Sequence, residues 1–328
     1  MKGISTIIAT IILVVITISL VSTAYLFVGG VLTGSISKVI SLVDAKAHRI
    51  IVRNDGTDTI ASDEISVSVN GQEVVPINTQ DIEPQDTVTL RFVPPELDMR
   101  SVKVVVSGPS NTLSYTTDIV PKQFKVIDGT VGLWHFNGNS NDETGVNNGA
   151  LFGDAYYTPD GKFGFALELD GSDDYVNCGN DVSLDLTGAF TIEGWFKHSS
   201  GLIENPNNWY GGIEKDQAYH LGWQGWTDGW SIYVYSGGVP NFKDSVDSYM
   251  PAGEWHHIAA VYDIPYLRIY RDGVEIASQD IGTLTIDSNA NALMIGYVET
   301  SYWEGIIDEV HILNRALKQE EILDNMYG

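Results

Sequence analysis

The stretch FTIEGWFK, residues 190–197, alternates along its length, with Phe190, Ile192 and Phe196 on one face. A period of two residues is typical of a β-strand with one buried side. LRIYRDGVEIAS, residues 267–278, alternates in the same way, and its Asp272-Gly273 pair suits a two-residue hairpin turn. Strands of this length recur between turns through residues 126–328, which predicts two packed antiparallel sheets.

Several further motifs surround these two strands. They are GLWHFNG (132–138), NNGAL (147–151), KFGFALELDGSDDYV (162–176), PAGEWHHIAAVYD (251–263) and GIIDEVHILNRAL (305–317). Their content and order resemble those of laminin-G-like, concanavalin-A-like jelly-roll domains. The resemblance implies that residues 126–328 form a lectin-like jelly roll of two antiparallel sheets. The pattern of the remaining residues predicts one short helix in this region, near residues 316–325.

The same resemblance implies a calcium ion. Related jelly rolls hold a structural Ca²⁺ with an Asp near the last strand and oxygens near an early one. Matched motif to motif, the expected ligands are Asp170 and Asp308, with Asp173 in reserve. Hard oxygen ligands of this kind suit Ca²⁺, which extracellular modules bind with dissociation constants of roughly 10⁻⁴–10⁻³ M. The alternative is that these carboxylates only accept hydrogen bonds from turns.

The fold also houses glucanases, whose paired carboxylates follow the pattern E-x-D-x-E on one strand. The nearest match, Glu214-Lys215-Asp216, lacks the third carboxylate at Ala218. Glu193 and Asp308-Glu309 have no carboxylate two positions away on the same strand. We therefore expect no enzymatic activity. The adjacent His256 and His257 point to opposite faces of a strand and are not expected to share a metal.

A ligand surface is predicted in the aromatic-rich stretch at residues 201–238. Trp209 and Trp226 are the expected stacking platform for a sugar ring, with Trp226 raised in a turn, whereas Trp223 and Trp230 are expected to point inward. The neighbouring polar side chains could bond sugar hydroxyls, because clefts of this type combine an apolar floor with a few placed polar groups. These side chains are Asn207, Asn208, Gln224 and Asp228.

The N-terminus carries an uncharged run from Ile4 to Gly34, longer than the roughly 20 apolar residues that span a bilayer as a helix. KGISTIIATIILVVITISL (2–20) resembles the N-terminus of archaeal type IV pilins and archaellins. This resemblance implies cleavage between Gly3 and Ile4, and a helix that first anchors the subunit and then packs with copies of itself. Bacterial pilins carry Glu at the fifth mature position, which is Ile8 here.

A plain membrane anchor is the alternative for residues 1–35. Only Lys2 precedes the run, whereas several basic residues follow it, and the positive-inside rule would keep the head in the cytoplasm. The pilin-like Lys2-Gly3 signal and the surface-type domains favour the opposite orientation, with the head outside. The expected location is the cell membrane or an extracellular surface filament.

Residues 36–125 read as a small β-sandwich that acts as a spacer. Val67 and Val69 alternate with serines, and Asn70-Gly71 supplies the positive-φ pair of a two-residue hairpin. Similar runs cover residues 48–53, 87–93, 101–107 and 113–120. Five or six strands of this kind make a small sandwich, and no acid–base pair, metal cluster or nucleophile is expected in it.

Charge separates the two β regions. Residues 1–125 hold 10 Lys/Arg and 12 Asp/Glu, whereas residues 126–328 hold 8 and 31, together with all eight tryptophans. This strongly acidic domain would repel phosphate, which excludes nucleic acid as a partner. The sequence therefore predicts a surface or filament adhesin with a lectin-like head that binds a glycan. The alternatives are a membrane-anchored surface binding protein that does not polymerise and a passive filament coat.

Overall fold

The structure is a computed structural model that describes residues 37–46, 48–93, 101–118, 123–199, 209–225, 227, 229–246 and 250–327. The hydrophobic run and the expected cleavage site between Gly3 and Ile4 lie outside these residues. Within the described part of the chain, no helix is both long and apolar enough to cross a membrane. The anchoring and filament roles therefore stay predictions from the sequence.

The chain divides into two compact units, with the boundary between Thr117 and Asp118. The strands of the first unit are β1 Ile40–Lys46, β2 Arg49–Asn54, β3 Ser66–Val69, β4 Gln72–Val74, β5 Thr87–Arg91, β6 Ser101–Ser107 and β7 Thr112–Asp118. They form a three-stranded sheet, β1-β2-β5, and a four-stranded sheet, β4-β3-β6-β7. A 3₁₀ turn at Ser62–Glu64 precedes β3.

The alternation predicted for the first unit is present in β3. Val67 and Val69 are buried, whereas the serines between and before them are not. Asn70 and Gly71 have φ angles of 50° and 86°, and Val69 pairs with Gln72 across them. The two-residue hairpin is confirmed, because both turn positions adopt the left-handed conformation that this turn type requires.

The second unit is built from seventeen described strands and one α-helix. The strands are β8 Thr130–Trp134, β9 Ala150–Phe152, β10 Tyr156–Thr158, β11 Ala166–Asp170, β12 Tyr175–Asn177, β13 Phe190–His198, β14 Trp209–Lys215, β15 Tyr219–Gln224, β16 Gly229–Ser236, β17 Val239–Asp244, β18 His256–Asp263, β19 Tyr266–Arg271, β20 Val274–Asp280, β21 Leu293–Ile295, β22 Tyr297–Val298, β23 Ser301–Tyr302 and β24 Glu304–Leu313. The helix α1 covers Gln319–Tyr327, and a 3₁₀ turn covers Val182–Leu184. The single short helix falls close to its predicted place.

Two large antiparallel sheets dominate this unit. The eight-stranded sheet runs β10-β11-β24-β13-β18-β19-β20, with β8 paired to the second half of β24. The seven-stranded sheet runs β17-β16-β15-β14-β21-β12-β9. Their inner faces share one hydrophobic core, which includes Phe190, Ile192 and Phe196 of the stretch that opened the sequence analysis. The prediction of a mainly β chain with two packed sheets is confirmed for this unit.

The tryptophans behave as the strand pattern predicts, with one exception. Trp134, Trp195, Trp223 and Trp230 are all buried, and the expectation that Trp223 and Trp230 point inward is confirmed. Trp255 lies immediately before β18, in the WHH segment, and is only half-buried. The Lys197 ammonium lies 5.0 Å from the centre of its ring.

The adjacent histidines contact different carboxylates, as their opposite orientations require. His256 Nδ1 lies 2.7 Å from Asp272 Oδ2, and His257 Nε2 lies 3.4 Å from Glu193 Oε2. His257 is fully buried, whereas His256 keeps some exposure. The two rings therefore belong to separate contacts on the two faces of β18.

Candidate functional site

One row of side chains crosses the outer face of the seven-stranded sheet, on the side turned away from the core. The strand register pairs Met294 with Glu214, Glu214 with His220, His220 with Tyr233, and Tyr233 with Phe242. Opposed residues on neighbouring antiparallel strands have Cβ atoms about 5 Å apart, so their side chains interact. We call these five residues the outer row. Their strand neighbours point into the core; these are Ile213, Leu221, Ile232, Val234, Leu293 and Ile295.

The aromatic members of the outer row are stacked. The rings of His220 and Tyr233 have centroids 4.5 Å apart, and those of Tyr233 and Phe242 are 4.7 Å apart with planes at 11°. Trp209 packs edge-on against His220 and Tyr233 at 5.2 and 5.5 Å. Phe242 is 44% exposed at the end of the row. The result is an aromatic surface that is open at its β17 end.

A cleft of about 410 Å³ lies at the other end of the outer row. It is lined by Glu214, Asp216, Asn291, Ala292, Met294, Tyr297, Glu299 and Thr300. Beyond it, a second aromatic group is formed by Phe152, Tyr175, Tyr297 and Tyr302. In this group Phe152 and Tyr175 stack in parallel with centroids 4.8 Å apart. The cleft is therefore flanked by aromatic side chains on both sides.

Buried hydrogen bonds hold one wall of the cleft. The Lys215 ammonium is fully buried and donates to the backbone oxygens of Asn289 and Asn291 and to the side chain of Asn180. The Asn291 amide in turn donates to the backbone oxygen of Asp216 at 3.0 Å. These contacts fix the loop before β21 against the end of β14, which positions the polar groups of Asn291 and Asp216 at the cleft.

Glu214 is the buried acid of the cleft, with only 3% exposure. Its Oε2 accepts a hydrogen bond from the backbone N–H of Glu299 at 3.1 Å, and its Oε1 lies 3.8 Å from Nδ1 of His220. Burial raises the pKa of Glu214 to about 7 and lowers the pKa of His220 to about 3. At neutral pH the histidine is therefore uncharged, and Glu214 is divided between its acid and carboxylate forms.

Four aspartates that are close in sequence to Phe152 and Tyr175 form a cluster. One carboxylate oxygen from each of Asp154, Asp170, Asp173 and Asp174 lies within 4.8 Å of the others. Asp174 is buried, and its Oδ1 has no hydrogen-bond partner among the described residues. Burial raises its pKa, and the charges of Asp170 and Asp154 add to the increase. An all-oxygen set with one buried unpaired carboxylate oxygen fits a calcium ion.

The two expected calcium ligands do not lie at one place. Asp170 belongs to the aspartate cluster together with the reserve candidate Asp173. Asp170 pairs with Glu304 across β11 and β24, four residues along β24 from Asp308, which corresponds to about 13 Å. Asp308 is fully buried and accepts a hydrogen bond from the backbone N–H of Phe163 at 2.9 Å. Burial, and then the charge of Glu309, raises the pKa of Asp308 to about 8.

Among the expected ligand residues, Trp209 lies beside the outer row. Trp226, Asn208 and Asp228 are outside the described residues, as is Asn207. Gln224 is buried and donates to the Tyr233 hydroxyl at 2.9 Å. Sequence reasoning missed Tyr233 and Phe242; the alternation of Tyr233 and Tyr235 with Ile232 and Val234 was the signal available for the first of them.

Glu193, considered above as a strand carboxylate, is buried on the other large sheet. His311 Nδ1 lies 3.0 Å from its Oε1, and the Asn325 amide donates to the same oxygen at 2.7 Å. Burial alone would raise its pKa, but the contacts with His257 and His311 outweigh this and lower the pKa to about 2. This carboxylate is an internal structural charge, because no part of it reaches solvent.

Comparison with known proteins identifies the domain type. Residues 170–323 match the family model Laminin_G_3, described as the concanavalin A-like lectin/glucanases superfamily. This confirms the expected concanavalin A-like domain in the C-terminal part of the chain. A search of curated protein sequences finds no match to the chain.

Three solved structures are similar to this chain. Domain 4 of AbnA, an extracellular GH43 arabinanase from Geobacillus stearothermophilus solved with arabinotriose, is 21% identical, with a TM-score of 0.49 over 62% of this chain and 100% of that one. The binding domain of Paraclostridial Mosquitocidal Protein 1 is 16% identical, with a TM-score of 0.49 over 59% of this chain and 51% of that one. The binding domain of Botulinum neurotoxin DC, solved with rat synaptotagmin II, is 14% identical, with a TM-score of 0.48 over 59% and 50%. The chain therefore spans about half the length of both toxin domains.

Proposed function

We propose that the second unit is a glycan-binding head and that the outer face of its seven-stranded sheet is the binding surface. The observation that carries this proposal is the outer row, which places stacked aromatic rings beside a polar cleft. Aromatic faces stack on the apolar faces of sugar rings, and placed polar groups fix the hydroxyls, which is the usual composition of a ligand site. Trp209, which packs on the outer row, belongs to this proposal, and Trp226, Asn208 and Asp228 remain its sequence-based candidates for contact with the glycan.

The test is a glycan array probed with the full chain, first as wild type and then as Phe242→Ala. Loss of an exposed stacking ring should weaken binding about tenfold or more, corresponding to ~1.4 kcal/mol. Phe165→Ala is the matched control, because Phe165 is a similarly exposed phenylalanine, at 47%, outside this surface. Equal loss in both variants would show that the outer row is not the binding surface, and no glycan bound by the wild type would favour the passive-coat alternative.

We further propose that the aspartate cluster binds a structural Ca²⁺. Asp154, Asp170, Asp173 and Asp174 would hold the ion, whose two positive charges would reduce the repulsion among the four carboxylates and order the turns that carry them. Added calcium at millimolar concentration should raise the melting temperature of the wild type. Asp173→Asn should abolish the increase, whereas Asp308→Asn should keep it. If Asp308→Asn loses the increase and Asp173→Asn keeps it, the ion would lie at Asp308 and not at the aspartate cluster.

For residues 1–35 we propose the pilin-like role, with surface display of the head. Its support is the uncharged run after Lys2-Gly3. Intact-mass measurement of the surface-located protein should show a free N-terminus at Ile4. Retention of residues 1–3 would leave the membrane-anchor alternative in its place.

Glycoside hydrolysis is a second candidate for the same cleft. Glu214 on β14 and Asp216 in the turn that follows β14 both line the cleft, and Glu214 has the raised pKa of a general acid. The absence of a third carboxylate at the buried Ala218 argues against the glucanase arrangement. We expect no new reducing ends when the chain is incubated with any oligosaccharide that it binds; their appearance, and their loss in Glu214→Gln, would favour the enzyme.

A further inference from the structure

The cleft at the end of the outer row is acidic along its lining. Glu214, Asp216 and Glu299 contribute carboxylates, and no described lysine or arginine lines it. The neighbouring Lys215 ammonium is fully buried and lies 3.4 Å from the Asp185 carboxylate, which offsets its positive charge. An anionic ligand, such as a uronic acid or a sulfated sugar, would be repelled here.

Glu214 uses only part of its capacity to accept hydrogen bonds within the protein. Its Oε2 accepts one backbone hydrogen bond, whereas His220 Nδ1 lies 3.8 Å from its Oε1, beyond hydrogen-bond distance. Each carboxylate oxygen can accept more than one hydrogen bond, so Glu214 keeps room for a further donor as partner. Since Glu214 lines the cleft, a ligand can supply that partner.

The chemistry of that partner follows from how the carboxylates are spread. Among described residues, the carboxylates that converge closely enough for one metal ion are those of the aspartate cluster, and the acids of the cleft are not in that group. They border a space of about 410 Å³ with the outer-row rings on one side and Tyr297 and Tyr302 on the other. This arrangement suits an organic cation attached to a ring more than a bare metal ion.

We propose that the cleft binds the protonated amine of an amino sugar, with Glu214 as the residue that accepts its hydrogen bond. Asp216 and Glu299 supply the surrounding negative charge, and the flanking tyrosines contact the sugar ring. This proposal rests on the proposed glycan-binding function and names the ligand class for one part of the same surface. The proposal predicts that the cleft binds a sugar with a free, protonated amine more tightly than the N-acetylated counterpart, which carries no charge.

Amine binding should depend on pH through Glu214. The titratable groups around it are His220 on β15, Asp216 in the turn after β14, Glu299 in the turn between β22 and β23, and Tyr235 and Tyr297. Over pH 5.5–7.0 His220 is neutral and both tyrosines keep their protons, because burial lowers the pKa of His220 to about 3 and raises those of the tyrosines. Glu214, with a pKa of about 7, is protonated at the lower end and must release its proton to bind an ammonium.

The experiment is isothermal titration of the full chain with a glucosamine trimer and with its fully N-acetylated form at pH 5.5 and 7.0. The upper limit is pH 7 because amines of lowered basicity titrate near 8. The wild type should bind the free amine about tenfold more tightly at pH 7.0 than at pH 5.5. Below pH 7 it should release close to one proton on binding, which is measured by comparing buffers of different ionisation enthalpy.

Glu214→Gln should abolish both the proton release and the pH dependence and reduce affinity for the free amine at pH 7.0. Glu254→Gln is the control, because Glu254 is exposed outside the cleft. Asp216→Asn should weaken binding at both pH values without removing the proton release. Equal affinity for the two trimers would overturn the amine proposal and leave the glycan-binding function standing. Binding of neither trimer, together with an array that shows no other glycan, would overturn both.

Discussion

The two large sheets carry the same cross-strand pair, a glutamate opposite a histidine, in opposite settings. Glu193 faces His311 across β13 and β24, and Glu214 faces His220 across β14 and β15. Glu193 has a second histidine and the Asn325 amide as neighbours, and its pKa falls to about 2. Glu214 has one backbone N–H and a distant, neutral histidine, and its pKa rises to about 7.

The difference comes from what covers each sheet. The C-terminal helix supplies Asn325 to Glu193, and the ring of Phe124 packs on His257 and His311 at 5.7 and 5.8 Å. The outer row on the other sheet has no such cover among the described residues near Phe242, which stays exposed. A strand glutamate therefore serves the fold where donors surround it, and is available to a ligand where they do not.

The largest loss of stability should come from replacing Glu193, the glutamate of the pair on the eight-stranded sheet. Glu193→Gln leaves His257 and His311 without their charged partner in a fully buried setting, which should lower the free energy of unfolding by about 3–5 kcal/mol. Urea unfolding followed by tryptophan fluorescence measures this for the second unit, because all eight tryptophans lie there. A change below ~1 kcal/mol would mean that the buried charges are not coupled.

The pH dependence of this pair has a defined sign. Since the folded pKa of Glu193 is lowered to about 2, its contribution to stability is present above the ordinary pKa of 4.5 and is lost as the pH falls toward 2. Wild type and Glu193→Gln should therefore converge in stability on acidification. If their difference stayed constant down to pH 2, the lowered pKa would not be the source of the stabilisation.

An intermediate change in the free energy of unfolding is expected at Asp308. This residue is buried on the eight-stranded sheet, and its Oδ1 has no hydrogen-bond partner among the described residues. Its pKa is raised to about 8, so the folded state keeps a proton that the unfolded chain loses from pH 4 upward. Its favourable contribution is lost as the pH rises through 8. Asp308→Asn cannot ionise and should gain on the order of 4 kcal/mol relative to wild type between pH 5 and 9, because about three pH units lie between pH 5 and the folded pKa. A gain that did not change with pH would contradict this.

Local sequence signals predicted the strands well, because alternation and turn chemistry act over a few residues. The hairpin at Asn70-Gly71 and the buried face of β13 are examples. The candidate cleft was not predicted, since Glu214 meets Glu299, 85 positions away, only through the order of the strands in the sheet. The calcium ligands were mispaired for the same reason. The resemblance identified Asp170 on β11 and Asp308 on β24, but only the register of the two strands shows that these acids lie apart.

The smallest effect on stability should be that of Glu214→Gln, the open counterpart of Glu193→Gln. The raised pKa of about 7 means that the wild type loses stability as the pH rises from its unfolded value near 4.5 through 7, because the folded state must then give up a proton in a buried position. The glutamine stays neutral and still offers a carbonyl oxygen to the Glu299 N–H, so the variant should match the wild type within ~1 kcal/mol at pH 5 and exceed it by about 2–3 kcal/mol at pH 8. The same urea titrations measure both variants side by side. A loss at Glu214 as large as that at Glu193 would show that both glutamates serve the fold, and the contrast between the covered and the open sheet would fail.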